Sequence, residues 1–242
     1  MIENRPRINR QRKPTAAPAP PGIPRITRLT ALAIKFQDTV DRGEVREYAD
    51  PAGPAPEVIR QIAKHEFFDV NSSFSMTRGQ DQNAAAKLLL FEYAGGLGET
   101  EKVNLDMFVN EAAQQPPGKV ELAGRKVVDV LDEMQEIFLP KDRLLVSAGQ
   151  VPVYYWFVRS RPNKDSPDIR EFLVRFEEQR RDNRLRVKQN PKDRKIDRQF
   201  VEYDQVNRNT NDLASHEGRF SILKQRFKSF VRRDRGDARA GT

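Results

Sequence analysis

Two histidines are where acid–base chemistry would first be sought in this chain, because imidazole titrates near neutral pH without help. His65 lies in KHEFF and His216 in SHEGR. Each is followed by glutamate, yet neither opens the HExxH spacing that sets two imidazoles on one helical face to hold zinc. Both read as helix-end or surface histidines. Cysteine is absent, which removes disulfides, thiolate zinc sites and a cysteine nucleophile. No GxSxG, GxxxxGK[ST] or GxGxxG string occurs, so the sequence spells out no nucleophile elbow and no phosphate loop. The glycine-rich AGGLGET stretch follows a helix-forming segment and reads as a helix C-cap rather than a phosphate cradle. The expectation is a chain with no catalytic residue, no metal and no cofactor of its own.

Two polar constellations remain. In TRGQDQNAAAK (77–87), a helix beginning near Gly79 places Gln80, Asn83 and Lys87 three and four residues apart on one face. Asp81 falls in the first turn, where the helix dipole favours a carboxylate, and Arg78 stands just outside. Capping plus a solvated face is the plainer reading of this cluster. Arg78 and Lys87 turned toward an anion is the sharper one. The second constellation, NRNTNDLASHEGR (207–219), suits a turn whose side chains bond back to the backbone. It reads as a helix–loop–helix connector. Its functional version has Asn211, Asp212 and Arg219 pinning the connector against another helix.

Charge supplies a third candidate. Lys and Arg number 43 against 35 Asp and Glu, a net +8, which makes a polyanionic partner plausible without naming it. The last helix carries Arg226, Lys228, Arg232 and Arg233 opposite an aromatic stripe of Phe220, Leu223, Phe227 and Phe230. A basic face backed by an anchored apolar one can follow phosphates. A solvated helix end is the alternative. The N-terminal arm, with Arg5, Arg7, Arg10, Arg12 and Lys13, repeats the signal more weakly.

The elements that must position these residues are nearly all helical. Residues 1–24 end in a proline-rich run that can neither continue a helix nor pair in a sheet, and they read as a disordered basic arm. Residues 25–43 have helical spacing, and ADPAGPAP (49–56) reads as a linker, so 25–55 form a helix plus linker. Helices are expected over 56–64, 79–94, around Leu105–Ala112, and over 119–138. VPVYYWFVR (151–159) could be a strand by composition, but no partner strand is evident, and a buried helix fits better. Ser166-Pro167 opens a further helix that runs into the charged EEQRRDNRLRVKQ and projects into solvent until Asn190-Pro191. Residues 193–207 form a charged or partly ordered helix, and Asn211 or Asp212 caps the last one. The fold class is mainly α: an irregular helical bundle over 56–232, with a disordered tail at 233–242. No uncharged apolar run approaches the ~20 residues that span a bilayer, and no secretory signal opens the chain, so no membrane and a cytoplasmic location are expected.

Over residues 56–232 the blocks HEFFDVNSSFSMTRGQDQNAAAKLLLFEYAGG, EKVNLDMFVNEA, VLDEMQEIFLPKDRLLVSAGQVPVYYWFVR and IREFLVRFEEQRRDNR, then EYDQVNRNTNDLASHEGRFSILKQRF, occur in order. Together they resemble the C-terminal helical half of proteins with a ParB-like nuclease domain, the group that includes GmrSD-type modification-dependent restriction enzymes. In that family the catalytic signature is Asp-Gly-Gln-Gln-Arg in an N-terminal α/β domain. This chain has no such string, so the resemblance implies the helical accessory half without the nuclease centre. Residues 24–50 resemble the start of a helix-turn-helix region from serine-recombinase-associated proteins, with ADPAGPAP where the recognition helix would follow. The expected function is a helical accessory or DNA-engaging module of a restriction or anti-phage type system. DNA and a nuclease-domain chain are the expected partners. The alternatives are a non-enzymatic, sequence-independent DNA-binding protein, or a degenerate fragment or fusion.

Overall fold

A computed structural model describes residues 53–75, 79–161 and 166–240, by backbone alone at 166–167 and 233–240. All of these lie in the second of the chain's two units, Tyr48–Thr242. The basic arm (1–24), the 25–43 helix, Arg78 and the side chain of Arg233 lie outside the described residues. The described secondary structure is helical throughout. In chain order it comprises α1 (Ala55–Ala63), α2 (Glu66–Val70), α3 (Gln80–Ala94), α4 (Lys102–Ala113), α5 (Pro117–Ile137), two 3-10 turns (Arg143–Leu145 and Ala148–Gln150), α6 (Val151–Arg159), α7 (Ser166–Gln189), α8 (Arg198–Val206) and α9 (Leu213–Ala240). None of the helices among the described residues is long and apolar enough to cross a membrane.

Two helices form the centre. Ala84 through Leu89 of α3 are buried without interruption, so α3 has no solvent face and needs neighbours on every side. It packs against α1, α4, α5 and α6. Its end is set by Gly95, whose left-handed φ of 71° an L side chain rarely adopts, and whose amide returns to the Phe91 carbonyl. Helix α6 is the VPVYYWFVR run, with seven of its residues buried. Its β-branched and aromatic composition suits a strand, but Pro152 sits in the first helical turn, where a missing N–H costs nothing. Helices α3, α5 and α9 surround it, and its Phe157 meets Phe172 of α7. Where α1 crosses α5, a Cβ on Gly124 would come within 2.6 Å of Val58 Cγ1, so only glycine fits that approach.

Three expectations need correction. The 49–56 linker ends early: Ala55 and Pro56 are buried and start α1, because proline is accommodated in a first helical turn. The short helix α2, capped by the His65 imidazole, was not expected at all. The last helix runs on to Ala240, through most of the stretch expected to be a disordered tail.

Aromatic packing fastens the peripheral helices. Phe172 on α7 meets Phe157, Phe227 and Phe230, and Phe176 meets Phe200 and Tyr203 of α8 at centroid distances of 5.2 and 5.1 Å. The apolar stripe of α9 faces inward as its spacing predicts: Leu223 and Phe227 are buried, and Phe220 and Phe230 are partly covered.

Candidate functional site

The two polar constellations of the sequence meet in one place. Lys87, expected on a solvated face, is 7% exposed, and its ammonium donates to Asn211 Oδ1 at 2.8 Å across 124 residues of chain. Arg219 is wholly buried in the second turn of α9. Its guanidinium has five N–H donors. It makes five contacts: to the carbonyls of Ser215, Gly149 and Thr210, to Asn207 Oδ1 and to His216 Nδ1, at 2.9–3.4 Å. Two of the three residues named for the functional version of the connector, Asn211 and Arg219, bond to other segments. Asn211 is pinned to α3 by Lys87 and to the segment before α4 by Thr100, whose amide donates to the Asn211 carbonyl at 2.8 Å. Asp212 stays local: its carboxylate accepts from Asn209 at 2.6 Å, and its carbonyl starts α9 by accepting from the His216 amide.

Of the two positions expected for His216, helix end or surface, the structure gives the first, in the opening turn of α9. Its ring is wholly buried, edge-on to Phe91 at 5.2 Å. Arginine can only donate, so the contact from Arg219 Nη2 fixes Nδ1 as the acceptor. The proton of the neutral ring then sits on Nε2 and is given to Thr100 Oγ1 at 3.1 Å. Burial, reinforced by the positive charges of Arg219 and Lys87, lowers the imidazole pKa to about 3. Burial also lowers Lys87 to about 8, with the neighbouring Arg219 charge adding to the effect. All the hydrogen-bond acceptors around these two cations are neutral. The signal for this hub was present in the sequence. His216 and Arg219 continue the Leu223–Phe227 stripe at three- and four-residue spacing, and Lys87 is a lone cation inside AAAKLLLF.

A cleft of about 690 Å³ lies beside the hub, lined by Ser73, Ser75, Gln80, Asn83, Ser147 and Gly149 among others. It takes two members of the expected cluster, Gln80 and Asn83, but Lys87 is not among its lining residues. Gly149 joins the two regions, because its carbonyl is an Arg219 acceptor. Gly79 precedes α3 in a left-handed conformation and provides no side-chain cap, and Asp81 occupies the first turn. The cluster read as one site is thus divided, with Gln80 and Asn83 at the cleft and Lys87 in the core. The other histidine, His65, has the helix-end role expected of it. Its Nδ1 accepts from the Phe67 amide at 3.2 Å, and its Nε2 lies 3.1 Å from Asp132. Among the described residues no three His, Asp or Glu side chains converge to hold a metal.

The basic face of α9 is also divided. Arg226 pairs with Asp197 at 2.5 Å and lies 3.8 Å over the Phe200 ring, clamping α9 to α8. Lys228 and Arg232 are exposed. A second concentration of charge appears where α7 outruns its neighbours. Arg180 there is buried, bonded to Glu177 and Asp204, and Arg184 joins Asp204 at 2.7 Å. Beyond them almost every side chain up to Gln189 is exposed.

Comparison with protein-family models, with curated proteins and with solved structures returned no match to this chain.

Proposed function

We propose that this chain is a helical, DNA-engaging accessory module of a restriction or anti-phage type system, acting beside a nuclease domain carried elsewhere. The observation that carries the DNA contact is the outer face of α9. Lys228 and Arg232 stand exposed on a helix whose opposite face, through Leu223 and Phe227, is locked into the core. A rigid helix with outward cations presents fixed positive charge to a phosphate backbone. Phosphate contacts carry no base information, so the binding is sequence-independent. The accessory role is supported by the family resemblance over residues 56–232 and by the missing Asp-Gly-Gln-Gln-Arg string. The uninterrupted core and the fully bonded Arg219 favour a chain selected to fold over a degenerate fragment.

The test is titration of the full chain against duplexes of unrelated sequence over a range of salt, with a parallel cleavage assay in divalent metal. The expected outcome is equal binding to all duplexes, lost steeply as salt rises, and no hydrolysis. Absence of binding at low salt would remove the DNA reading. Metal-dependent cleavage abolished by a point substitution in this chain would remove the accessory one.

A further inference from the structure

We infer that the arm formed by the end of α7, the following turn and the start of α8 (residues 181–198) is the principal contact with the phosphate backbone of duplex DNA. This rests on the DNA-engaging function proposed above and assigns its main surface. Eight Lys and Arg oppose three Asp in this stretch. Two of the three carboxylates are already committed. Asp197 pairs with Arg226 and caps α8 through the amides of Gln199 and Phe200, and Asp193 accepts from the Lys195 amide at 2.9 Å. Asp182 stays exposed at the base of the arm. Among the cations, Arg184 is paired with Asp204. Arg181, Arg186, Lys188, Lys192, Arg194 and Lys195 are exposed and form no ion pair among the described residues. The arm therefore presents a local excess of uncompensated positive charge that the described side chains of α9, where Lys224, Lys228 and Arg232 are exposed and Arg226 is withdrawn into its clamp, do not match.

The arm is also held in shape. Asn183 bonds the backbone of Asp197 in both directions, donating to its carbonyl at 3.0 Å and accepting from its amide at 2.8 Å. Asn190 Oδ1 accepts from the Lys192 amide inside the turn. Arg180 and Arg184 tie α7 to Asp204 on α8. Cations on a prefolded hairpin lose less freedom on binding than cations on a loose tail. The stretch contains no aromatic residue, so it offers no ring for unstacked bases, the feature by which single strands are gripped. Charge without stacking fits the regular phosphates of a duplex.

The test compares the full chain with a variant carrying Arg186→Gln, Lys188→Gln, Lys192→Gln, Arg194→Gln and Lys195→Gln, and with a Lys228→Gln/Arg232→Gln variant. Affinity for duplex, for single-stranded DNA and for vesicles with anionic headgroups is measured across salt, with thermal melting as the folding check. The five-site variant should melt with wild type, since every changed side chain is exposed. It should bind duplex at least about tenfold more weakly at low salt, and its salt slope should fall by about 0.9 for each phosphate no longer neutralised. The α9 pair should have the smaller effect. If wild type binds duplex and the five-site variant matches its affinity and slope, the arm is excluded while the DNA reading stands. If the α9 pair carries the larger drop in affinity, the principal surface is α9. Tighter binding of wild type to single strands or vesicles overturns the duplex assignment, and no duplex binding at low salt overturns both proposals. A five-site variant that fails to melt with wild type would contradict the claim that these side chains lie outside the fold.

Discussion

Among the described residues, the hub and the arm both gather positive charge, and they differ in everything but sign. At the hub, Lys87 and Arg219 are buried among carbonyls, an asparagine amide and a neutral imidazole. On the arm, Arg186, Lys188, Arg194 and their neighbours are in water. A buried cation must be satisfied donor by donor, because each unmet N–H costs its full desolvation. An exposed cation keeps its hydration and stays available to a partner. The hub's charge is consumed by structure, and the arm's charge stays in water, where a partner can reach it. Glu92 marks the contrast from the acidic side. It is buried like Lys87, but it is paired with Arg159 and accepts from the Tyr155 hydroxyl at 2.9 Å.

The comparison breaks most visibly in acid. Folded His216 stays neutral down to about pH 3, whereas in the unfolded chain it takes a proton below about pH 6.5. The folded pKa is the lower one, so stability is present above about pH 6.5 and is lost as pH falls toward 3. Complete loss is on the order of 4–5 kcal/mol. A His216→Gln variant should lack that acid limb in urea unfolding followed against pH. An acid limb as steep as wild type would mean that the imidazole is solvated after all.

Arg219→Ala should come next, costing about 3–4 kcal/mol because it strands the carbonyls of Gly149 and Thr210 and empties the hub. Arg219→Lys should rescue little, since an ammonium cannot reach five acceptors. Denaturant midpoints report both.

Lys87 runs in the opposite direction with pH. Its folded pKa of about 8 lies below the unfolded value near 10.5, so the unfolded chain holds the extra proton between them. Wild type should therefore gain stability relative to Lys87→Met as pH rises from about 8 to about 10.5, by up to roughly 3 kcal/mol. Parallel curves would show that the ammonium is not desolvated.

Asp81→Ala sharpens the boundary of the hub. Asp81 sits in the first turn of α3, so the loss should be about 0.3–1 kcal/mol, the size of a helix-dipole contribution. A larger drop in melting temperature would tie Asp81 to the buried network. The smallest effect on stability is expected from Lys228→Gln/Arg232→Gln, within about 0.5 kcal/mol as for exposed positions generally.

What could be read in advance follows from the range of the forces involved. Helix α3 with its Gly95 stop, the helix at 151–159, the start at Ser166 and the inward stripe of α9 are local matters of period, capping and proline. Those were legible. Helix α2 was not, because five residues are too few to show a period. At the candidate site, Asn211 and Arg219 make bonds that hold the connector and Gln80 and Asn83 line the cleft, whereas His216, read as a helix-end or surface histidine, is buried in the first turn of α9, and Lys87, read on a solvated face, is in the core. The lone cation of AAAKLLLF and the 216–219–223–227 spacing set these residues beside apolar neighbours, but they hold no record of the acceptors another segment supplies.

The sequence alone therefore determined where most of the longer helices run and which face of α9 is apolar, since both depend on neighbours within a turn or two. Only the tertiary structure decided which charges remain available. Asn211 arrives at Lys87 from 124 residues away, and Asp197 arrives at Arg226 from 29. An arginine's donors can be met by carbonyls from several segments at once, as at Arg219, and the periodicity of one helix holds no information about the acceptors that another will bring.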